Sequence, residues 1–207
     1  MASNTQSTKE TVLQASEKLF IKKGFSATSM SMIAREAGVT QSLIHHYFGS
    51  KKNLWYEVQV NKFQDYITLE EAILANDDDD IIKVMEESLT TYFRYFQKHP
   101  SLGRMLVWTE VEEDDDAILQ KKLKPLKNLF DEATEKCRLG QEMGIFRDDV
   151  DAQNIMVGFL ALTQYPFIMR SYLTTFLDVG PDKPLEKCQD DYLKDMIRFF
   201  VAGLRKQ

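Results

Sequence analysis

The chain has 207 residues, a formal net charge of −6 and only two cysteines. So few cysteines argue against a disulfide framework, and residues 1–11 are polar, without the apolar core of a secretory signal. No apolar run approaches the roughly 20 residues that a membrane span requires. We therefore expect a protein of the reduced cytoplasm that has no membrane partner.

Charge is distributed unevenly along the chain. Residues 1–56 carry seven basic and three acidic side chains, a net charge of +4. The other 151 residues carry 19 basic and 29 acidic side chains, a net charge of −10. An asymmetry of this kind indicates that the basic part binds a polyanion.

The first two predicted helices lie in this basic part. An apolar stripe predicts a first helix from about Thr8 to Lys23. Thr28 or Ser29 can cap a short second helix, because a hydroxyl at that position accepts a hydrogen bond from a free backbone N–H. Gly38 follows the second helix and permits the positive φ angle of a tight turn.

A third helix is predicted from Gln41 to Phe48, with Thr40 as its N-cap. Ile44 and Phe48 are four residues apart, so both face inward, and the remaining side chains form a mostly polar outward face. A helix, a tight glycine turn and a short polar-faced helix form the helix-turn-helix arrangement, whose second helix enters a major groove about 12 Å wide. The basic charge argues against a purely structural use of this arrangement.

Three runs in this segment, Gly24–Ser29, Ile33–Val39 and Ile44–Lys51, closely resemble the TetR family of bacterial transcription regulators. The resemblance implies an all-α fold of about nine helices, a number that the apolar periodicity also supports. It implies a three-helix helix-turn-helix DNA-binding domain over residues 1–56. Residues 57–207 would then form a helical ligand-binding and dimerisation domain.

The resemblance also implies roles for single residues. Ser29 would cap the second helix and touch a phosphate, and Tyr47 and Lys51 would bind phosphates. The outward side chains of the third helix become candidates for reading base edges: Gln41, Ser42, Leu43, His45 and His46.

Two of these positions depart from the usual pattern of the family. His45 stands where an aromatic residue such as tyrosine is common, and Leu43 stands where threonine or another small residue is common. Both departures leave the expected fold intact and leave the operator sequence open. Leu43 could contact a thymine methyl group, and Gln41 could pair with adenine.

The remaining predicted helices follow at regular intervals, without a strand signal. They cover residues 50–74, 81–98, 102–110, 117–142, 152–177 and 185–205. The run Asp77–Asp80 lacks the glycine and glutamate of a calcium loop, so we interpret it as a solvated turn before a helix. The run Glu112–Asp116 has the same interpretation.

The sequence contains no motif that is typical of a metal site or of an enzyme. His45 and His46 are adjacent, without the four-residue spacing of a helical metal-binding pair, so we expect no metal. We find no glycine-rich phosphate loop, no nucleophile elbow and no paired-ligand motif, so we expect neither a cofactor nor catalysis. Cys137 lies between Lys136 and Arg138, and a redox role remains open there because cations lower the pKa of a thiol.

Aromatic residues and methionines in the middle helices are typical of a core and also of a pocket for an apolar ligand. Pro166 is expected to free a carbonyl and kink the eighth helix. Thr163 and Gln164 would need partners from another subunit, from water or from a ligand. Arg104 could bind an acidic group. The predicted effector-binding residues are Tyr92, Phe96, Arg104, Trp108, Thr163 and Phe167.

The last helix has a wide apolar face that must be covered. Resemblance to the family implies that the eighth and last helices pair with their copies in a four-helix dimer interface. Two recognition helices roughly 34 Å apart would then read a pseudo-palindrome. The predicted interface residues are Phe159, Tyr192, Met196, Ile197, Phe200 and Leu204.

Together these features predict a homodimeric, ligand-responsive regulator, and specifically a repressor that a small, largely apolar effector releases from a double-stranded DNA operator. Two alternatives stay open. One is a DNA-binding protein of the same fold that has no inducer. The other is a helical small-molecule-binding protein or enzyme that uses the apolar core. An activator of the same fold also stays open beside the repressor.

Overall fold

The computed structural model describes residues 2–75, 80–112, 120–121 and 123–206. Extended pairing within these ranges is limited to two isolated bridges, Phe146 with Arg205 and Gly180 with Lys183, so the predicted all-α class is confirmed. The described helices are α1 (Ala2–Lys23), α2 (Met30–Ala37), α3 (Gln41–Phe48), α4 (Lys51–Leu74), α5 (Ile81–Lys98), α6 (Ser101–Glu112), α7 (Lys124–Glu142), α8 (Ala152–Ile168), α9 (Arg170–Phe176) and α10 (Leu185–Leu204).

The chain forms two compact units. The first is drawn from Met1–Gln64 and Arg104–Lys124, and the second from Asp65–Gly103 and Pro125–Gln207. Helix α4 contributes residues to both. The first unit is therefore larger than residues 1–56, because the amino-terminal part of α4 and most of α6 belong to it. None of the described helices is both long enough and apolar enough to cross a membrane.

The core of the first unit holds the three amino-terminal helices together. Val12, Ile33 and Ile44 have no solvent exposure and belong to one apolar cluster. The ring of Phe20 meets that of Trp55 edge-on, with centroids 4.9 Å apart. Such close packing fixes the orientation of α3, because each side chain fills the space that its neighbours leave.

Side-chain caps set the starts of the short helices, as predicted. Ser29 accepts a hydrogen bond from the backbone N–H of Met32 at 3.2 Å, and Thr40 accepts one from Leu43 at 3.3 Å. Thr28 does not cap α2, because its buried hydroxyl donates to the carbonyl oxygen of Gly24. Asp80 caps α5. The other acidic residues of that turn, 77–79, and the second acidic run, 113–116, lie outside the described residues.

Gly24 ends α1 with a φ of +81°, and a Cβ atom there would lie 3.0 Å from Cζ2 of Trp108. We expect Gly24→Ala to lower the free energy of unfolding by about 2–4 kcal/mol, because backbone strain and crowding of the indole act together. Urea unfolding of the full chain measures this loss.

Gly38→Ala is the matched control for this substitution. Gly38 has a similar φ of +67°, but nothing lies within 4 Å of an added Cβ, so backbone strain acts alone. We expect a loss of about 1–2 kcal/mol. Equal losses in the two variants would show that the indole does not restrict residue 24.

The second unit is built on α5, α8 and α10, which pack against one another. Phe93 is fully buried between them, with its ring centroid 4.9 Å from that of Phe167 and 5.9 Å from that of Tyr192. This aromatic contact joins the three helices, because each ring comes from a different one.

The predicted eighth helix, residues 152–177, is two helices in the structure, interrupted at Met169. Pro166 has no N–H to donate to the carbonyl oxygen of Leu162, and that oxygen instead accepts a hydrogen bond from the Tyr192 hydroxyl at 2.8 Å. The prediction that Pro166 frees a carbonyl is consistent with this contact, whereas the predicted continuous helix is wrong.

The predicted seventh helix also differs from the structure. Its expected start at residue 117 lies outside the described residues, and α7 begins at Lys124. Pro125 is then the second residue of the helix. Proline suits the first turn, because the N–H groups there have no partner within the helix.

Candidate functional site

Helix α3 exposes most of the side chains that were predicted to read DNA. Ile44 and Phe48 are buried beneath it. On its outer side Leu43 and Tyr47 are half-buried. Its exposed side chains are Gln41, Ser42, His45 and His46. The helix therefore presents a polar outer surface on an apolar base, which is the arrangement that a groove-reading helix requires.

Two hydrogen bonds organise this outer surface. His45 Nδ1 lies 2.7 Å from the carbonyl oxygen of Gly49, and because a carbonyl only accepts, the ring donates from Nδ1. In the neutral ring Nε2 is then an acceptor, and the Gln41 Nε2 amide donates to it over 3.3 Å. His45 thus holds the side-chain amide of Gln41 in one orientation, a link that sequence reasoning did not reveal.

The side chains predicted to bind phosphate lie on α3 and on the segments next to it. Ser29 is exposed at the amino terminus of α2, and its hydroxyl oxygen lies 3.0 Å from that of Ser31. The Tyr47 ring lies 5.4 Å from that of His46, centroid to centroid. The free N–H groups at the start of α2 would favour an anion at this position.

Lys51 has a structural role that the sequence did not indicate. Its ammonium group donates to the carbonyl oxygens of Phe25 and Thr28, each at 3.0 Å, and lies 4.2 Å above the centre of the Phe25 ring. These contacts tie the start of α4 to the loop before α2. Two of the three N–H groups are thereby engaged, which leaves one for a phosphate.

We expect Lys51→Met to lower the free energy of unfolding by about 1–3 kcal/mol, because two partly buried carbonyl oxygens lose a charged donor. Lys23→Met removes an exposed lysine from the last turn of α1 and is the matched control. Urea unfolding of both variants compares the two losses. If Lys51→Met costs no more than Lys23→Met, Lys51 does not stabilise the loop.

Four of the predicted effector residues lie in the second unit. Tyr92, Phe96 and Phe167 are buried, and the centroid of the Phe96 ring lies 5.1 Å from that of Tyr92 and 5.5 Å from that of Phe167. The Thr163 hydroxyl donates to the carbonyl oxygen of Phe159, and the Gln164 amide donates to the Tyr92 hydroxyl at 2.6 Å. The expectation that Thr163 and Gln164 need another subunit, water or a ligand is therefore wrong, because both find acceptors within the chain.

The other two predicted effector residues, Arg104 and Trp108, belong to the first unit. The Arg104 guanidinium donates to the carbonyl oxygen of Ile21 at 3.2 Å. The Trp108 ring lies where a Cβ atom on Gly24 would point. The structure thus gives both side chains a packing role beside α1, and a role in ligand binding stays a prediction.

Sequence reasoning missed Glu70, a buried acid in the second unit. Glu70 lies on the inward stripe of α4 together with Phe63, Ile67 and Leu74. Burial raises the pKa of its carboxyl group, whereas the adjacent Ser88 and Tyr66 lower it. The helical period of the sequence places residue 70 on this buried stripe. That spacing is the sequence signal from which a buried acid could have been predicted.

The residues that were predicted to form the dimer interface are not the ones that the second unit exposes to solvent. Phe159, Met196, Phe200 and Leu204 are buried within the single chain, and Tyr192 and Ile197 are half-buried. The wide apolar face of α10 is covered by α5 and α8 of the same chain. The exposed large apolar residues of α8 and α10 are Val157, Tyr165 and Phe199.

Both cysteines are free and buried. Burial raises the pKa of the Cys137 thiol to about 11, and the nearby Arg138 lowers it by less. The reasoning that flanking cations would activate this thiol is therefore wrong, because loss of hydration outweighs their attraction. Within the described ranges, no three His, Cys, Asp or Glu side chains form a group that could hold a metal ion.

Two family models match the chain over most of its length. The one described as "Bacterial regulatory proteins, tetR family" matches residues 12–58. The one described as "Tetracyclin repressor-like, C-terminal domain" matches residues 82–197, more than half of the chain. The chain belongs to the TetR family. The family predicted from the three runs around α2 and α3 is therefore confirmed.

Individual relatives are similar over nearly the full chain. The transcriptional repressor NicS of Pseudomonas putida is 26% identical over 99% of this chain and 96% of its own length. The ketosteroid transcriptional regulator KstR2 of Mycobacterium tuberculosis has a TM-score of 0.69 at 16% identity, covering 96% of this chain and 95% of its own. HlyIIR, a hemolysin II transcriptional regulator, has a TM-score of 0.67 at 21% identity, covering 98% and 99%. These two structures support the fold.

Membership of the TetR family confirms the predicted class of function. The protein is a helix-turn-helix transcription regulator that binds DNA. Regulators of this family bind operators as dimers and respond to small-molecule effectors.

Proposed function

We propose that this TetR-family protein is a homodimeric repressor that binds a pseudo-palindromic operator in the cytoplasm and leaves it when an effector binds. The observation that carries the proposal is the exposed polar face of α3, which buried Ile44 and Phe48 and the caps of Ser29 and Thr40 hold in place. Gln41, with its amide oriented by His45, is the leading candidate for reading a base. We propose a repressor rather than an activator because the relative NicS is named a transcriptional repressor.

The contacts with the DNA backbone come from both sides of α3. Ser29 and the free N–H groups of α2 bind one phosphate, and Tyr47 and the remaining N–H of Lys51 bind another. Backbone contacts of this kind fix the position of the protein on the duplex and carry no sequence information. The specificity of the protein therefore depends on the exposed side chains of α3.

The dimer contact forms on the exposed apolar surface of α8 and α10. Phe199, Val157 and Tyr165 expose 73%, 56% and 47% of their surfaces, large fractions for apolar side chains. Gly158 and Gly203 line a groove beside Phe199 and have open space around them, so another helix can approach closely. A second copy of the chain covers this surface, because two-fold symmetry matches each patch with itself.

The effector acts through a shift between two conformations. Helix α4 supplies residues to both units, so a ligand that favours one position of α4 changes the spacing of the two recognition helices in the dimer. The size of the response is limited by the ratio of effector affinities for the two conformations. An effector that binds equally with and without operator would therefore contradict this mechanism.

The number of half-sites needed for binding tests the dimeric repressor directly. We expect a duplex with two inverted half-sites to bind one dimer at least about a hundredfold more tightly than a duplex with one half-site, because the second contact is intramolecular. Fluorescence anisotropy gives the affinities, and sedimentation gives the stoichiometry. Equal affinity for the two duplexes would overturn the proposal.

A further inference from the structure

A cavity of about 400 Å³ lies in the second unit, between the end of α5, the junction of α8 and α9, and the start of α10. Volumes of this size are typical of small-molecule sites. Its wall combines apolar, amide and charged side chains: Phe167 and Leu185, Gln97 and Gln189, Arg170 and Glu186. A mixed lining of this kind favours a ligand that has polar groups on an apolar body.

Contacts between helices hold the wall of this cavity in place. The Arg94 guanidinium donates to the Asp190 carboxylate, and the Gln97 amide donates to the same carboxylate oxygen over 3.3 Å, so α5 and α10 are joined beside the cavity. The backbone of Phe167 lies so close to Gly103, on α6, that a Cβ atom at Gly103 would be 2.8 Å from the Phe167 carbonyl oxygen. The cavity is therefore formed without a ligand, which lowers the cost of binding one. Helix α6 supplies residues to both units, and the wall of the cavity contacts it.

The two charged side chains of the wall have no partner. Among the residues that the structure describes, neither the Arg170 guanidinium nor the Glu186 carboxylate makes a hydrogen bond or an ion pair. Both side chains are exposed, so each is accessible to a ligand. Opposite charges that line one cavity without contacting each other leave space between them for a molecule that carries both charges.

We propose that the effector is a free α-amino acid with an apolar side chain and that it binds in this cavity. The inference rests on the proposed response to an effector and names the chemical class of that effector. Arg170 donates to the α-carboxylate through two N–H groups of its planar guanidinium, and Glu186 accepts hydrogen bonds from the α-ammonium group. The apolar side chain of the ligand lies against Phe167 and Leu185. A ligand with a single charge would form one of the two charge-assisted contacts and would therefore bind more weakly.

Matched ligands that each lack one charge test this proposal. The probes are L-leucine, 3-methylbutylamine and 4-methylpentanoate, with L-phenylalanine, phenethylamine and 3-phenylpropanoate as a second set on an aromatic side chain. Titrations followed by ligand-observed NMR use the full-length protein without DNA. We expect each amino acid to bind at least about tenfold more tightly than its amine and its acid.

Substitutions in the wall should remove this selectivity one charge at a time. We expect Arg170→Met to bind each amino acid no more tightly than its amine, and Glu186→Gln to bind it no more tightly than its acid. The matched controls are Lys187→Met and Glu142→Gln, which remove an exposed charge outside the cavity and should keep the full selectivity. Because Arg170 and Glu186 have no described partner to lose, both variants should unfold at the wild-type temperature, so that loss of binding is not loss of fold.

Four results would overturn the amino-acid site. They are amino acids that bind no more tightly than their single-charge analogues, selectivity that survives in Arg170→Met or Glu186→Gln, selectivity that disappears in either control variant, and a failure of every probe to bind.

Operator binding separates this inference from the proposed function. We expect saturating L-leucine or L-phenylalanine to release the wild-type protein from its operator, as measured by fluorescence anisotropy. Sequence-specific operator binding that neither amino acid weakens would refute the amino acid as effector and leave the repressor in place. Selective binding of amino acids without sequence-specific DNA binding would refute the repressor and leave the site.

Discussion

Phe199→Glu is expected to convert the dimer to a monomer and to lower its affinity for a two-half-site operator by at least about a hundredfold. Phe199 exposes 73% of its surface on α10, beside the groove that Gly158 and Gly203 line. A carboxylate in the centre of an apolar interface would lose its hydration without gaining a partner. Sedimentation velocity measures the mass, and fluorescence anisotropy measures the affinity.

Phe176→Glu is the matched control. It makes the same chemical change at a residue of comparable exposure, 68%, but Phe176 lies on α9, outside the proposed contact. We expect this variant to stay dimeric and to bind the operator like the wild type. A Phe199→Glu protein that remains a dimer would show that the subunits meet elsewhere.

Substitutions at Gln41 and Tyr47 should separate base reading from phosphate binding. We expect Gln41→Ala to weaken binding only to the preferred operator, by about 1–3 kcal/mol for each half-site, because it removes contacts to one base pair. Tyr47→Ala should instead lower affinity for preferred and unrelated duplexes by the same factor, about tenfold, since every duplex has the same phosphates. Competition titrations with single-base variants of the operator measure both effects.

Two further variants serve as controls for this pair. Tyr47→Phe keeps the ring beside His46 and removes the hydroxyl, so it should reproduce the loss in Tyr47→Ala if the hydroxyl binds the phosphate. His45→Ala leaves Gln41 in place without the ring nitrogen that holds its amide, so it should weaken discrimination at the base pair that Gln41 reads. If Gln41→Ala and Tyr47→Ala lower affinity in the same pattern, the proposed docking of α3 is wrong.

The sequence was sufficient for the amino-terminal helices because their determinants are local. Ser29 and Thr40 cap helices through N–H groups three residues away, and Ile44 and Phe48 share a face by helical spacing alone. No information about the rest of the fold enters these predictions. Residue 70 is a partial case, because its position on the inward stripe could be predicted from the sequence, whereas its contact with Ser88, on another helix, could not.

The sequence predictions that were wrong or incomplete concern contacts between segments that are distant in the chain. Phe199 and Phe200 are neighbours about 100° apart on α10, and which of them faces solvent depends on where α5 and α8 lie. Lys51 donates to two carbonyl oxygens more than 20 residues away in the chain, so no local sequence spacing predicts these contacts. The partner of Gln164 is Tyr92, on another helix.

Selection of bound duplexes from a random DNA pool, at moderate salt and without added ligand, tests the central claim most directly. The account predicts enrichment of a pseudo-palindrome whose half-sites are centred roughly 34 Å apart, or a multiple of that distance, on one face of the duplex. Binding that is sensitive to salt but shows no sequence enrichment would contradict it, because such binding needs only the basic charge of the first 56 residues.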